Sequence, residues 1–197
     1  MVRRYELKQR AQRQAETRQR ILEAAVALHV ERGPAATQIT DIAQRAGVDR
    51  VTIYRHFPDL ASLFKACSAH YYSARPLPDP NTWAAIQDPR ARLRHGLREI
   101  YAYWAQNAAA ADHILRDAQT LGHLGVGKRL QALQHHAVDV LAKDWSPPDQ
   151  TRPELTATIR VAVDFHTWQR LVDEQGLPEQ DAVELAVTWT QCVASTH

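Results

Sequence analysis

The sequence has few of the features that mark secreted or membrane-spanning proteins. Its 197 residues include only two cysteines, Cys67 and Cys192, which fits a reducing compartment better than a disulfide framework. No apolar run approaches the roughly 20 residues of a membrane-spanning helix. The N-terminal stretch MVRRYELKQRAQRQAETRQR also lacks the apolar core of a secretory signal. We therefore expect a soluble cytoplasmic protein without a membrane partner.

Alternating apolar and polar residues, which are typical of half-buried β-strands, are also missing. Apolar residues instead recur at helix spacing along almost the whole chain. The first clear helix is predicted from about Thr17 to Arg32, where the pair Gly33-Pro34 ends it. Four prolines between residues 75 and 90 exclude a continuous helix there and mark a boundary between modules. The sequence therefore predicts an all-α protein.

Further helices are predicted on both sides of this boundary. One begins at Pro58 and places Leu60 on an apolar stripe. Beyond the boundary, Thr151 and Glu154 have the spacing of a capping box that opens a helix running to about Gln175. The last helix, from about Pro178, is apolar around much of its circumference. Because such a surface has to be covered, we predict a homodimer formed through the last two helices.

Positive charge is concentrated in the first third of the chain. Residues 1–75 contain 13 Lys and Arg against 7 Asp and Glu, whereas residues 76–197 contain 11 against 15. A basic segment on a mildly acidic body favours a polyanionic partner for the first third. On this asymmetry alone, ordinary surface charge is the equal alternative.

Residues 39–57 combine two short predicted helices with a tight glycine turn. The first runs from Ile39 to Ala46, and the second follows Gly47 with Asp49 as its N-cap. Ile53 and Phe57 are spaced to face a core, but the large polar side chains of the second helix mostly cannot join them. These are Arg50, Thr52, Tyr54, Arg55 and His56. The pattern describes a helix-turn-helix, whose second helix presents its N-terminal residues to the DNA major groove.

The stretch TQITDIAQRAGVDRVTIYRHFPDLASLF resembles the DNA-binding region of the TetR (tetracycline-repressor-like) family of transcriptional regulators. The resemblance covers about residues 17–70, and the C-terminal part is similar in helical pattern only. It implies a ligand-responsive repressor that binds a palindromic operator in double-stranded DNA as a homodimer. It also implies a small-molecule effector in the C-terminal domain, which changes the spacing of the two reading helices.

We accordingly divide the chain into three segments. Residues 1–16 are assigned to a basic N-terminal arm that leads into the first helix. Residues 17–75 are assigned to the helix-turn-helix DNA-binding domain, and residues 76–197 to a helical domain for ligand binding and dimerisation.

The resemblance also implies which side chains meet DNA. Arg50 lies near the start of the recognition helix, where its guanidinium can reach guanine O6 and N7, and Val51 and Thr52 can touch base edges. Phosphate contacts are implied for Tyr54, Arg55 and His56 of the second helix and for Thr37, Gln38 and Thr40 at the start of the first. The alternative makes Thr37 an N-cap and Tyr54 a packing aromatic.

Three positions depart from the family pattern. Val51 stands where a small residue is common, Gln38 where threonine is usual, and Leu60 where a lysine commonly contacts a phosphate. The absence of that lysine predicts DNA binding that depends less steeply on salt. The N-terminal arm either compensates through phosphate or minor-groove contacts or is a disordered solubilising tail. Its cations are Arg3, Arg4, Lys8, Arg10 and Arg13.

Aromatic residues of the C-terminal half are candidates for lining an effector cavity, although aromatics at helix spacing are usually core residues. The candidates are Tyr101, Trp104, Phe165 and His166.

Two other classes of function stay open. An all-helical, His-rich, metal-dependent enzyme is one, because the pairs His113/Asp117 and His135/Asp139 have the i,i+4 spacing that puts two ligands on one helix face. Neither a nucleophile elbow nor a phosphate-binding glycine loop supports it. A non-regulatory DNA architectural protein is the other, and the large C-terminal body argues against it. We expect no enzymatic activity, no metal and no cofactor.

Overall fold

A computed structural model describes residues 2–195, with side chains from Tyr5 onward, and all regular structure in that range is helical. The α-helices are α1 Val2–Arg32, α2 Ile39–Ala46, α3 Arg50–His56, α4 Leu60–Ala74, α5 Pro89–Leu121, α6 Lys128–Leu141, α7 Arg152–Ala162, α8 Phe165–Trp168 and α9 Glu179–Ala194. Short 3-10 segments span Pro80–Ala85, Gly122–Leu124 and Asp149–Thr151, and a π-helical segment spans Gln169–Glu174. The all-α prediction is confirmed. Over residues 2–195, none of these helices combines the length and apolar character needed to cross a membrane.

The chain divides into two compact units, each built from two stretches of sequence. The first unit combines Met1–Pro76 with Asp112–Lys128, and the second combines Leu77–Ala111 with Arg129–His197. Helix α5 therefore contributes its first part to the second unit and its last part to the first.

The core of the first unit is built by α1, α2, α3 and α4. Each helix contributes side chains that are almost completely removed from solvent, including Ile21, Ala25, Leu28, Ile42, Ala46, Ile53, Phe57, Leu63 and Cys67. Burying a large apolar side chain contributes roughly 1.5–3 kcal/mol to folding, so these contacts fix the short helices α2 and α3 against α1. The inward positions predicted for the helix-turn-helix are confirmed.

The first helix begins at Val2 rather than at Thr17. Residues 2–32 contain neither glycine nor proline and are rich in Ala, Arg, Gln, Glu and Leu, all of which are good helix formers. The segment predicted as an arm is therefore helical over residues 2–16. The side chains of Arg3 and Arg4, two of its predicted cations, lie outside the described residues.

The fourth helix begins at Leu60 rather than at Pro58. Asp59 determines this start, because its Oδ1 accepts the backbone N–H of Ser62 at 2.7 Å and caps the helix. Leu60 is 42% exposed, so it does not belong to the predicted apolar stripe.

The second unit is organised around the first part of α5. Leu93, Leu97 and Tyr101 are completely buried there, as is Trp83 of the preceding 3-10 segment. Arg94 of α5 and Glu184 of α9 form a bidentate ion pair, with N–O distances of 2.6 and 2.9 Å. Helix α9 is thereby connected to α5 by a charged contact as well as by apolar packing.

Two predictions for the segment after residue 150 are wrong. Thr151 does not cap α7 through its side chain, because its hydroxyl donates to the carbonyl oxygen of Pro148 at 3.0 Å within a 3-10 turn. The helix also does not continue to Gln175. It ends at Ala162, and Asp164 caps a new helix by accepting the N–H of His166 at 2.8 Å.

Candidate nucleic-acid interface

The turn between α2 and α3 depends on Gly47. Its φ of 64° lies in the left-handed region, which glycine adopts without steric cost. The N–H of Gly47 donates to Gln44 O at 3.3 Å, and the N–H of Val48 donates to Ala43 O at 3.0 Å, which satisfies the last carbonyl groups of α2. Within a few residues the chain reverses and presents α3 beside α2.

Helix α3 has one buried and one exposed face. Asp49 begins the helix by accepting the N–H of Thr52 at 2.6 Å, as predicted, and this hydrogen bond lowers the pKa of the Asp49 carboxyl. Ile53 in the helix and Phe57 directly after it are buried. The exposed residues are Arg50, Val51, Tyr54 and Arg55, while Thr52 and His56 are half-buried. The structure thus brings the predicted reading residues together on one outward face.

The three predicted phosphate ligands before and in α2 differ in their surroundings. Thr37 is half-buried, and its hydroxyl donates to Gly33 O at 2.8 Å. Gln38, not Thr37, is the N-cap residue, and its N–H donates to Asp41 Oδ2 at 3.2 Å. Gln38 and Thr40 are both exposed. The Thr37 hydroxyl proton is therefore committed to the turn, while the side chains of Gln38 and Thr40 face solvent.

Ion pairs separate the arginines of the first unit into two groups. Arg32 pairs with Asp41 at 2.5 Å, and Arg45 pairs with Glu31 at 2.6 Å, so both of these arginines connect α1 to α2. Arg50 and Arg55 make no ion pair with any residue whose side chain is described. Their guanidinium groups remain available to an external anion.

His56 occupies the end of α3 with its ring partly covered. The ring atom Nε2 is buried and has no hydrogen-bond partner among the described residues. Burial, followed by the positive charges of Arg55 and Arg18, lowers the pKa of His56 below its ordinary value of 6.5. The uncharged form of the ring is therefore favoured at neutral pH.

The predicted effector residues are mostly core residues of the second unit. Tyr101, Trp104 and Phe165 are completely buried, and the Tyr101 hydroxyl donates to Ala162 O at 3.0 Å. The ring of Phe165 lies 5.4 Å from that of Trp104 in an edge-on arrangement. His166 is exposed, with its Nδ1 3.2 Å from Asp164 Oδ1.

The histidine–aspartate pair predicted as an alternative metal site on α5 has other contacts. His113 Nδ1 lies 3.1 Å from Val30 O, and Asp117 accepts the N–H of Ala35 at 2.8 Å. Over the described part of the chain, no group of three or more His, Cys, Asp or Glu side chains is arranged to hold a metal ion.

Comparison with known proteins agrees with this geometry. Residues 21–67 match the family model described as bacterial regulatory proteins, tetR family. This match contains all of α2 and α3 and the buried end of α1. Over residues 21–67 the chain is therefore similar to the tetR family.

Two relatives named as transcriptional regulators match part of the chain. The chain is 47% identical over 57 residues to the HTH-type transcriptional regulator AcrR of Shigella flexneri, covering 29% of this chain and 25% of that protein. It is 48% identical over 50 residues to the HTH-type transcriptional repressor Rv3405c of Mycobacterium tuberculosis, covering 25% of this chain and 27% of that protein. The matched region thus spans about a quarter of the length of these relatives.

A solved structure resembles nearly the whole fold. A TetR-like transcriptional regulator from Rhodococcus sp. RHA1 superposes with a TM-score of 0.62 at 20% identity, covering 91% of this chain and 97% of that one. At this identity the likeness extends to the fold alone.

One residue that supports helix α3 was not identified from the sequence. The guanidinium of Arg18 lies 4.8 Å from the centroid of the Phe57 ring, so α1 covers the end of α3 with a cation–π contact. Arg18 lies three residues before the buried Ile21, and residues three apart are neighbours on a helix. This i,i+3 spacing in the sequence places Arg18 next to the core face of α1.

Proposed function

We propose that this protein is a ligand-responsive transcriptional repressor of the tetR family that binds a palindromic operator as a homodimer. In this proposal it is a cytoplasmic, non-enzymatic protein. Each subunit places α3 in one major groove of the operator. Two-fold symmetry then requires two half-sites about one helical turn, or a small multiple of it, apart.

A single observation carries the DNA-binding part of the proposal. Helix α3 is held from behind by the buried residues Ile53 and Phe57, while Arg50 and Arg55 are exposed and form no close ion pair with a described side chain. Unpaired, exposed guanidinium groups on a rigidly held short helix suit bidentate contacts to guanine and contacts to phosphate.

We assign the base contacts by position on this face. Arg50 reads guanine O6 and N7 at the start of α3, and Val51 and Thr52 touch neighbouring base edges. Val51 is 76% exposed, so its methyl groups can meet a thymine methyl.

The phosphate contacts are assigned to the remaining polar side chains. These are Tyr54, Arg55 and His56 in α3 and Thr37, Gln38 and Thr40 at the start of α2. The Thr37 hydroxyl has to exchange its hydrogen bond to Gly33 O for one to the phosphate, because it has a single proton to donate.

The dimer is proposed to form through the last two helical segments. Leu185, Trp189 and Val193 follow one another at i, i+4 and i+8 along α9 and are only half-buried within the chain. Such a stripe lies along one side of a helix and favours coverage by a second copy of the same surface.

The effector is proposed to bind among the aromatics of the second unit: Tyr101, Trp104, Phe165 and His166. The indole N–H groups of Trp104 and Trp168 are buried and lack a hydrogen-bond partner among the described residues. A buried donor left unpaired costs roughly 1–3 kcal/mol. An apolar compound carrying a carbonyl or ether oxygen would relieve that cost, and it would release DNA only through its higher affinity for the DNA-free state.

Selection of bound duplexes from a random DNA pool tests the proposal. The full-length protein is expected to enrich two inverted copies of one half-site at a fixed spacing. Enrichment of no sequence, or of a single site without symmetry, would contradict it. Adding small-molecule pools to the resulting complex then tests the effector, because an active compound should lower the affinity for the selected duplex.

A further inference from the structure

The first half of α1 and the end of α3 form the two walls of an open groove in the first unit. The groove has a volume of about 500 Å³. Glu6, Arg10, Arg13 and Thr17 line it from α1, together with two glutamines, and Arg55 and His56 line it from α3. Every one of these α1 residues lies before the apolar part of that helix.

The α1 wall continues the face that holds the first unit together. From Thr17, the next positions on the same face are Ile21 and Ala25, both completely buried. The same helix face is thus apolar where it packs on α2 to α4 and polar where it faces the groove. From Thr17 toward the N-terminus, the groove is therefore lined by polar side chains.

The charges in the groove favour an anion. Arg10, Arg13 and Arg55 make no ion pair with any residue whose side chain is described, and Glu6 is the one acidic residue in the lining. His56 adds a buried ring nitrogen without a partner among the described residues. Guanidinium groups bind phosphate oxygens through two parallel N–H donors, and each is fully charged at neutral pH. Three of them around one concave surface suit an occupant with several anionic oxygens.

Arg55 connects this groove to the proposed DNA-reading face. It is exposed on α3 and also belongs to the groove lining. A DNA backbone that runs along α3 would therefore reach α1 next. Glu6 to Thr17 covers about 16 Å of helix axis at roughly 1.5 Å per residue. That length can face several successive phosphates of a duplex.

Resting on the proposed function, we propose that the groove binds the phosphodiester backbone of the DNA that flanks each half-site. Arg10 and Arg13 would hold phosphates beyond the base pairs read by α3, and Arg55 would hold the phosphate between the two regions. The first half of α1 then belongs to the DNA-binding surface. It also supplies positive charge that is lacking at position 60, where a leucine replaces the common lysine.

The test compares two duplexes and a set of charge variants of the full-length protein. One selected duplex ends at the outer edge of each half-site, and the other extends about ten base pairs, or one helical turn, further on both sides. Arg10→Gln combined with Arg13→Gln should weaken binding to the long duplex several-fold. It should also make the slope of log K against log salt shallower by about 0.9 for each phosphate that the variant no longer neutralises. On the short duplex the wild type and this variant should bind alike.

Matched controls separate a site from general charge. Lys8→Gln removes one cation from the opposite side of α1, and it should change long-duplex binding less than Arg13→Gln does. Glu6→Gln should tighten binding to the long duplex, because it removes the carboxylate from the lining. Arginine and glutamine have similar helix propensities, and circular dichroism verifies that α1 is retained.

The outcomes are distinguishable. A wild-type protein that prefers the long duplex while the double variant binds both alike supports the groove. Equal decreases in affinity from Lys8→Gln and Arg13→Gln would overturn it in favour of unspecific electrostatic attraction. A double variant that binds the long duplex with wild-type affinity and salt slope would also overturn it, because the groove would then not contact the DNA. A wild-type protein that selects no DNA sequence would instead overturn the proposed function, and the groove assignment with it.

Discussion

Asp117 of α5 accepts a hydrogen bond from the backbone N–H of Ala35, with its Oδ2 2.8 Å from the nitrogen. Ala35 lies in the loop between α1 and α2, so a carboxylate distant in sequence holds the segment that leads into the helix-turn-helix. Gly33 makes the approach possible: its φ is 92°, and a Cβ atom there would lie 2.6 Å from Asp117 Oδ2. The loop conformation and the last part of α5 therefore depend on each other.

Replacing Asp117 by alanine should destabilise the first unit. The variant lacks the acceptor for Ala35 and the contact of Oδ1 with Arg116 at 3.0 Å, in a side chain that is almost completely buried. The expected decrease in the free energy of unfolding is about 1–3 kcal/mol, measured by urea denaturation. Asp112→Ala is the control, since that carboxylate is 43% exposed and lies 3.8 Å from Arg116. Equal decreases in the two variants would contradict a special role for Asp117.

His29 should make the first unit sensitive to acid. Burial lowers the pKa of His29 from 6.5 to about 4, although the nearby Asp117 acts in the opposite direction. The unfolded chain therefore takes up a proton near pH 6.5 that the folded chain refuses until about pH 4. Stability should be full above pH 6.5 and fall as the pH drops toward 4, by up to about 3 kcal/mol at 1.36 kcal/mol per pKa unit.

Urea denaturation at a series of pH values between 7 and 4 measures this effect. His29→Leu should flatten the dependence in that window, while His123→Gln, which changes an exposed histidine of the same unit, should leave it as in the wild type. A His29→Leu protein with unchanged acid sensitivity would assign the effect to other groups.

Local patterns predicted the helix-turn-helix well because its determinants are close together in sequence. Asp49 as a cap, Gly47 as the turn and Ile53 as a core residue all act within one or two helical turns of their own position. The capping box at Thr151 failed because the prolines just before it favour a 3-10 turn, in which Thr151 has a different partner. The capping-box spacing of Thr151 and Glu154 therefore coincides with a 3-10 turn and not with a side-chain cap.

The groove and the Asp117 contact were beyond local reasoning. Each joins segments that are far apart along the chain: α1 with the end of α3, and the end of α5 with the loop at Ala35. No spacing within either segment indicates its partner. The start of α1 was missed for another reason, since an Arg- and Gln-rich stretch is equally compatible with a solvated helix and with a disordered tail.

Arg50→Ala should relax the sequence preference at one base pair in each half-site. Removing a bidentate guanine contact costs about 1–3 kcal/mol of discrimination. The measurement is a second selection from the same random pool, compared position by position with the wild type. Arg152→Ala removes an exposed arginine from the second unit and should leave the preference unchanged. A variant that keeps full discrimination would remove Arg50 from the reading role.

Leu60→Lys should tighten DNA binding and steepen its salt dependence. Leu60 is the first residue of α4 and is 42% exposed, so a lysine there has space to extend toward a phosphate. One added phosphate contact should increase the slope of log K against log salt by about 0.9. Leu60→Gln controls for the removal of an exposed apolar side chain. If the lysine and glutamine variants bind equally, the start of α4 does not approach the DNA backbone.

Trp189→Glu should separate the proposed dimer. Trp189 occupies the middle of the half-buried stripe of α9, between Leu185 and Val193, so a charge there would be buried without a partner when two copies meet. Sedimentation equilibrium should give the monomer mass at concentrations where the wild type is a dimer. Thr188→Glu adds the same charge at the adjacent exposed position and should retain the dimer. Circular dichroism distinguishes dissociation from unfolding. A folded Trp189→Glu protein that keeps the dimer mass would place the interface on another surface. The two copies of α3 in the operator complex would then be related by a different two-fold axis.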